Sequence, residues 1–90
     1  MRKVKLTSVA ESEYADAVNY YLRKSDRAAL NFDDDPTFAI EVIETDPDRS
    51  PRYSERDQFL NLRRYPYSVI YRQLSAHILV MSIRHHARDD

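Results

Sequence analysis

The sequence predicts an α+β fold of order β-α-α-β-β-β, a helical hairpin packed on a mostly antiparallel sheet. Three observations predict it. A short stretch near the start alternates apolar and polar residues. Two longer stretches then place apolar residues three and four positions apart. The last third holds three β-rich segments joined by short turns. Ninety residues suit one domain, 1–90, and a 42% apolar content is enough to fold it.

Val4 and Leu6 alternate with Lys3, Lys5 and Thr7, which reads as a short strand with one apolar face. Ser8 precedes Glu11 by three residues, the spacing of a capping box. Ala10, Tyr14, Ala17 and Tyr21 share one helical face with Val18 beside it, so a helix is expected over about 9–24. Ser25-Asp26 marks a turn and a fresh N-cap. Ala28, Ala29, Phe32, Ala39 and Ile43 then form a second stripe, widened by Phe38 and Val42. Pro36 interrupts it. Proline deep in a helix costs roughly 3 kcal/mol, whereas at a first helical position it costs little, and Asp35 before it is a good N-cap. A break or kink near Asp34–Pro36 is therefore expected.

Asp46-Pro47 ends the helical region, and residues 47–57 read as a surface loop. From Phe59 to Arg64 the chain alternates, with Leu60 and Leu62 on one face. Tyr65-Pro66 turns it. Residues 67–72 are rich in strand formers, Ser75-Ala76 reverses the chain, and residues 78–83 are apolar on both faces, as a central strand should be. Residues 84–90 read as a polar tail.

Composition removes several function classes. The chain has no cysteine, so disulfides, thiolate metal sites and a cysteine nucleophile are excluded. It has no glycine, which excludes phosphate-cradling P-loops and dinucleotide fingerprints. Turns that need positive φ would have to use Asn, Asp or other residues at some cost. No long apolar run suggests a signal peptide or a membrane span, and the composition suits a reducing cytoplasm. Charge is uneven: residues 1–48 carry eleven Asp/Glu and six Lys/Arg, while residues 49–90 carry eight Arg, no Lys and four Asp/Glu. Arginine favours bidentate contact with phosphate or carboxylate, so the second half suits an anionic partner or a solvated surface.

Three stretches resemble the RelE/ParE toxin superfamily. Residues 11–21, ESEYADAVNYY, are similar to its opening helix with paired tyrosines. Residues 62–72, LRRYPYSVIYR, are similar to its Arg-Arg-Phe-Pro-Tyr hairpin. Residues 80–89, VMSIRHHARD, are similar to its last strand and His-x-x-Arg-Asp ending. The acidic run Asp33-Asp34-Asp35-Pro36 departs from the unbroken second helix usual in the family. The loop before the second strand lacks the usual glycine.

The resemblance implies the toxin of a type II toxin–antitoxin, or plasmid-stabilisation, system, bound and silenced by a cognate antitoxin. It implies either of two actions: poisoning of DNA gyrase, as in ParE-like members, or cleavage of messenger RNA on the ribosome, as in RelE-like members. The ending from His85 resembles the ParE-like form. A non-toxic interaction module of the same fold is the third reading. No cofactor and no metal are implied.

Candidate target-binding residues are Arg63, Arg64, Arg72, Arg84, His85 and Arg88. For cleavage, Arg64, His86 and Arg88 are the candidates, since RNA scission needs a base, an acid and phosphate stabilisation. Alternation would put Arg84 and His86 on one side of an extended strand and His85 on the other. Ser68 stands where such nucleases often carry an arginine. Tyr14, Tyr21, Tyr67 and Tyr71 either pack the core or line an antitoxin groove. Neither Asp33–Asp35 with Glu41 nor His85 with Asp89 makes a convincing metal site.

Overall fold

The structure is a computed structural model that describes residues 2–88, without the side chain of Arg88. Its elements are β1 (Lys3–Leu6), α1 (Ser8–Leu22), α2 (Asp26–Thr45), β2 (Gln58–Asn61), β3 (Tyr67–Gln73) and β4 (His77–His85). Short 3-10 turns follow α2 (Pro47–Arg49) and β4 (His86–Arg88). The four strands form one sheet in the order β1-β4-β3-β2, with β1 parallel to β4 and the other pairs antiparallel. The predicted fold class and element order are those observed.

Helix α1 starts one residue earlier than the capping-box spacing suggests. Thr7 is its N-cap, accepting from the Ala10 amide at 3.1 Å, so Ser8 already lies inside the helix. Thr7 wins because it ends β1: its amide donates to Val80 O (3.0 Å) and its hydroxyl to Met81 O (3.2 Å). Ala10 and Ala17 are buried, letting the helix approach the sheet closely. Ser25 caps α2 as expected, accepting from the Ala28 amide at 2.9 Å.

Helix α2 runs unbroken through Pro36, so of the expected break or kink the break does not occur. Ala29, Phe32, Pro36, Ala39 and Ile43 are all buried on one face. Burying a side chain the size of Phe or Ile contributes roughly 1.5–3 kcal/mol. Anchors on both sides of the proline therefore outweigh a local cost of about 3 kcal/mol. The apolar stripe staying in phase across the proline was the signal for one helix.

The core lies between the helical hairpin and one sheet face. Phe32 is its centre, ringed by Tyr21 (stacked, 4.8 Å between centroids), Tyr65 (5.1 Å), Tyr67 (5.4 Å) and Tyr14 (6.5 Å). From the sheet, Val69, Tyr71, Ile78, Val80 and Ile83 complete it. No described residue has positive φ. The glycine-free chain makes its turns without the left-handed conformation, ending α1, for example, with Arg23 in the right-handed helical region.

Candidate functional site

Side-chain alternation divides the candidates between two sheet faces. On β3, Tyr67, Val69 and Tyr71 point to the helices. Ser68, Ile70 and Arg72 point to the outer face. The register pairs Ser68 with Asn61 on β2 and with Arg84 on β4, so these three side chains lie side by side across the outer face.

That face carries a small polar and aromatic site. Ser68 Oγ donates to Asn61 Oδ1 at 2.6 Å and lies 2.8 Å from His86 Nε2. The Ser68 hydroxyl thereby links the Asn61 amide to the His86 ring. Arg84 donates to the Tyr53 hydroxyl at 3.0 Å, and its guanidinium carbon lies 6.0 Å from the Tyr53 ring centroid. Tyr53 packs edge-on to Phe59 at 6.3 Å. Tyr53, Phe59, Ser68, Ile70, Arg84 and His86 line a shallow hollow of about 180 Å³. The His86 amide donates to Pro66 O at 2.8 Å, fixing the histidine beside the β2–β3 turn.

The predicted target-binding residues do not form one patch. Arg84 lies on the outer face with His86, whereas His85 faces the helices, edge-on to Tyr67 at 4.8 Å. His85 lines a separate polar hollow with Asp16, Asn19, Tyr20, Arg23 and Tyr67. The expected opposition of the two histidines holds, although β4 ends at His85 and His86 opens the 3-10 turn. Arg63 and Arg64 are exposed on the β2–β3 turn. The Arg63 guanidinium lies 4.3 Å from the Phe38 ring centroid. The Arg64 amide donates to the buried Asp35 carboxylate at 2.7 Å.

Arg72 is committed elsewhere: it pairs with Asp57 (Nε–Oδ1 2.7 Å, a second bond at 3.3 Å). That hydrogen bond holds its guanidinium pKa above the ordinary value. The Arg88 side chain lies outside the described residues, so the expected set of Arg64, His86 and Arg88 is placed only in its first two members. Among the described residues no group of three His, Cys, Asp or Glu could hold a metal ion.

The four tyrosines all pack in or against the core, and Tyr67 also lines the hollow that holds His85. Tyr67 and Tyr71 are buried; Tyr14 and Tyr21 are partly buried against the same cluster. Burial, with help from Tyr67, Tyr65 and Tyr20, raises the Tyr21 pKa. Burial likewise raises that of Tyr71, whose hydroxyl donates to Pro47 O at 2.7 Å.

Sequence reasoning missed Tyr53, Asn61 and the positive role of Ser68. Asn61 and Ser68 become visible only once the register puts them opposite each other. Tyr53 is brought over the sheet by a loop whose path has no periodic signal. Asp35 was read as a helix start and proves to be a hydrogen-bond acceptor for the β2–β3 turn.

Comparison with known proteins agrees with this architecture. The family described as ParE toxin of type II toxin-antitoxin system, parDE, matches residues 4–90. A solved structure described as the chromosomal ParDE TA system from P. aeruginosa superposes with a TM-score of 0.82. The two are 21% identical, over 94% of this chain and 96% of that one. No curated protein sequence matches. No helix among the described residues is long and apolar enough to cross a membrane.

Proposed function

The chain belongs to the ParE toxin family of type II toxin–antitoxin systems, and from that premise we propose that it is a toxin that acts in the cytoplasm by binding DNA gyrase. A cognate antitoxin holds it inactive in a hetero-oligomer, and the pair stabilises the replicon that encodes it. The observation that carries this reading is the dispersal of its cations. Arg84 with His86 on the outer face, Arg63 with Arg64 on the β2–β3 turn, and His85 on the helix side occupy three separate surfaces. Dispersed arginines suit contact with a large macromolecular surface. They do not converge on a single scissile bond.

Purified gyrase tests the target. The chain is expected to block supercoiling and to accumulate cleaved DNA complexes, while translation extracts keep intact messenger RNA. Unimpeded supercoiling at saturating toxin would end the gyrase reading.

One observation favours a second reading, ribosome-dependent RNA cleavage: Arg84, His86, Ser68 and Tyr53 share the outer face, a combination able to hold a phosphate and stack a base. Against it, His86 is the only histidine in that group, and its Nε2 is engaged by Ser68. A single imidazole there would have to serve as both acid and base. Cleavage of ribosome-bound messenger that disappears in Arg64→Ala and His86→Ala would favour this second reading over the first.

A further inference from the structure

The segment before β2 folds back on itself as a small flap. The Phe59 amide donates to Pro51 O at 3.1 Å, and Arg52 bridges Gln58. The Tyr53 and Ser54 amides donate to Asp57 O at 2.8 and 3.1 Å, and the Asp57 amide donates to Ser54 Oγ at 3.2 Å. Residues 51–59 are thus a narrow hairpin with Tyr53 opposite Asp57.

Arg72 and Arg84, both on the outer face of the sheet, hold this flap at separate points. Arg72 on β3 grips the Asp57 carboxylate with bonds of 2.7 and 3.3 Å. Arg84 on β4 donates to the Tyr53 hydroxyl at 3.0 Å. The register sets Arg84 beside Ser68, so the two grips start roughly 13 Å apart along the strands. Ile70 lies between them on the same face. It is 3% exposed, although among the described residues it stands outside the core cluster. Phe59, its cross-strand partner, and Tyr53 line the same hollow. The aromatic pair of the flap is what keeps this outward isoleucine from water.

We propose that Arg72 is a positioning residue for the target-binding surface: through Asp57 it pins the flap, and Tyr53 on the pinned flap sets the guanidinium of Arg84. Asp57 joins the two grips. Its carboxylate is held by Arg72, and its carbonyl holds the amide of Tyr53. A two-bond arginine–carboxylate contact fixes angle as well as distance, so the flap is oriented and not merely tethered. An arginine already held in place loses less freedom when a partner arrives. The inference rests on the reading of the outer face around Arg84 as a surface that meets the toxin's target. It adds a residue that governs that surface without touching the target. A direct role for Arg72 has the opposite sign: Asp57 would then mask the guanidinium, and removing Asp57 would strengthen the toxin.

Growth arrest on induction, in a bacterial host without an antitoxin, reads the effect as the toxin level needed to stop growth. Arg72→Ala, Asp57→Ala and Tyr53→Phe should each raise that level roughly tenfold, as expected for groups coupled by contact. Each of them combined with Arg84→Ala should stay within about twofold of Arg84→Ala alone, because all act through one guanidinium. Losses that multiply would make Arg72 an independent contact and overturn the proposal. So would an Asp57→Ala chain more toxic than wild type. Cross-relaxation between the ring protons of Tyr53 and Phe59, 6.3 Å apart at their centroids, reads the flap without reference to toxicity. It should weaken in Arg72→Ala, and its full persistence there overturns the proposal. Thermal unfolding verifies that each variant is folded. Asp57→Ala breaks the same pair from the loop side and keeps the test decisive where Arg72→Ala does not fold. Full toxicity in every single variant sinks this inference alone. A wild-type chain that does not arrest growth sinks the toxin reading, and the inference with it.

Discussion

The two faces of β3 differ by one residue of register and by almost everything else. The inward residues Tyr67, Val69 and Tyr71 are each at most 2% exposed and belong to a single apolar cluster. The outward residues Ser68 and Arg72 make polar bonds that could be rearranged without opening that cluster. The inner face holds the molecule together. The outer face displays groups that can meet a partner. Stability and recognition are therefore separable here, and substitutions should sort by face rather than by position along the chain.

The largest stability effect is expected at the centre of the inner face. Phe32→Ala removes the ring that four tyrosines surround and should cost roughly 3–5 kcal/mol, read as a lower denaturation midpoint in urea. A loss under 1 kcal/mol would mean that the aromatic cluster is not the centre of the core. Next comes the link between helix and turn. Asp35→Ala leaves the Arg64 amide without its carboxylate and should cost about 1–3 kcal/mol. It should also loosen the Arg63–Arg64 turn, seen as faster exchange of the Arg64 amide.

Tyr71→Phe probes the inner face more gently. Losing the bond to Pro47 O should cost about 1 kcal/mol at neutral pH. The pH dependence has a definite sign. Burial raises the folded-state pKa above the ordinary tyrosine value of 10.0, so this tyrosine's contribution is complete below pH 10. It falls as pH rises further, because the unfolded chain releases its proton first. The gap between wild type and Tyr71→Phe, measured by urea unfolding, should narrow above pH 10. A gap that widens there would contradict the assigned burial.

The smallest stability effect belongs to the outer face. Arg84→Ala should change unfolding free energy by no more than about 0.5 kcal/mol and still reduce toxicity on induction. Retained toxicity would remove Arg84 from the proposed binding surface. A stability loss of several kcal/mol would erase the contrast between the faces.

Much of the fold was legible because its signals are local and periodic. The stripe from Ala10 to Tyr21 fixed one helix, the strand-forming residues of 67–72 fixed a strand, and Ser25 fixed a cap. Where a local preference competed with burial, burial prevailed: Pro36 pointed to a break or a kink, and the packing of Phe32 and Ile43 on either side kept the helix unbroken. Ser8 and Glu11 had the right spacing for a cap, but Thr7 was already held by β4. The candidate site was less legible than the fold. Six cationic positions were expected to act as one set, and the five whose side chains the structure describes are spread over separate surfaces.

The sequence by itself determined the element order, which side of each element is apolar, and that the second half presents arginine without lysine. These follow from residue type and spacing, which act over a few positions. Only the tertiary structure decided that Arg72 is tied to Asp57 and that Asn61, Ser68 and His86 meet. Those contacts join residues up to 18 positions apart through strand register and loop path. Register is set by the packing of the whole sheet against its helices, a property that no short stretch of chain possesses.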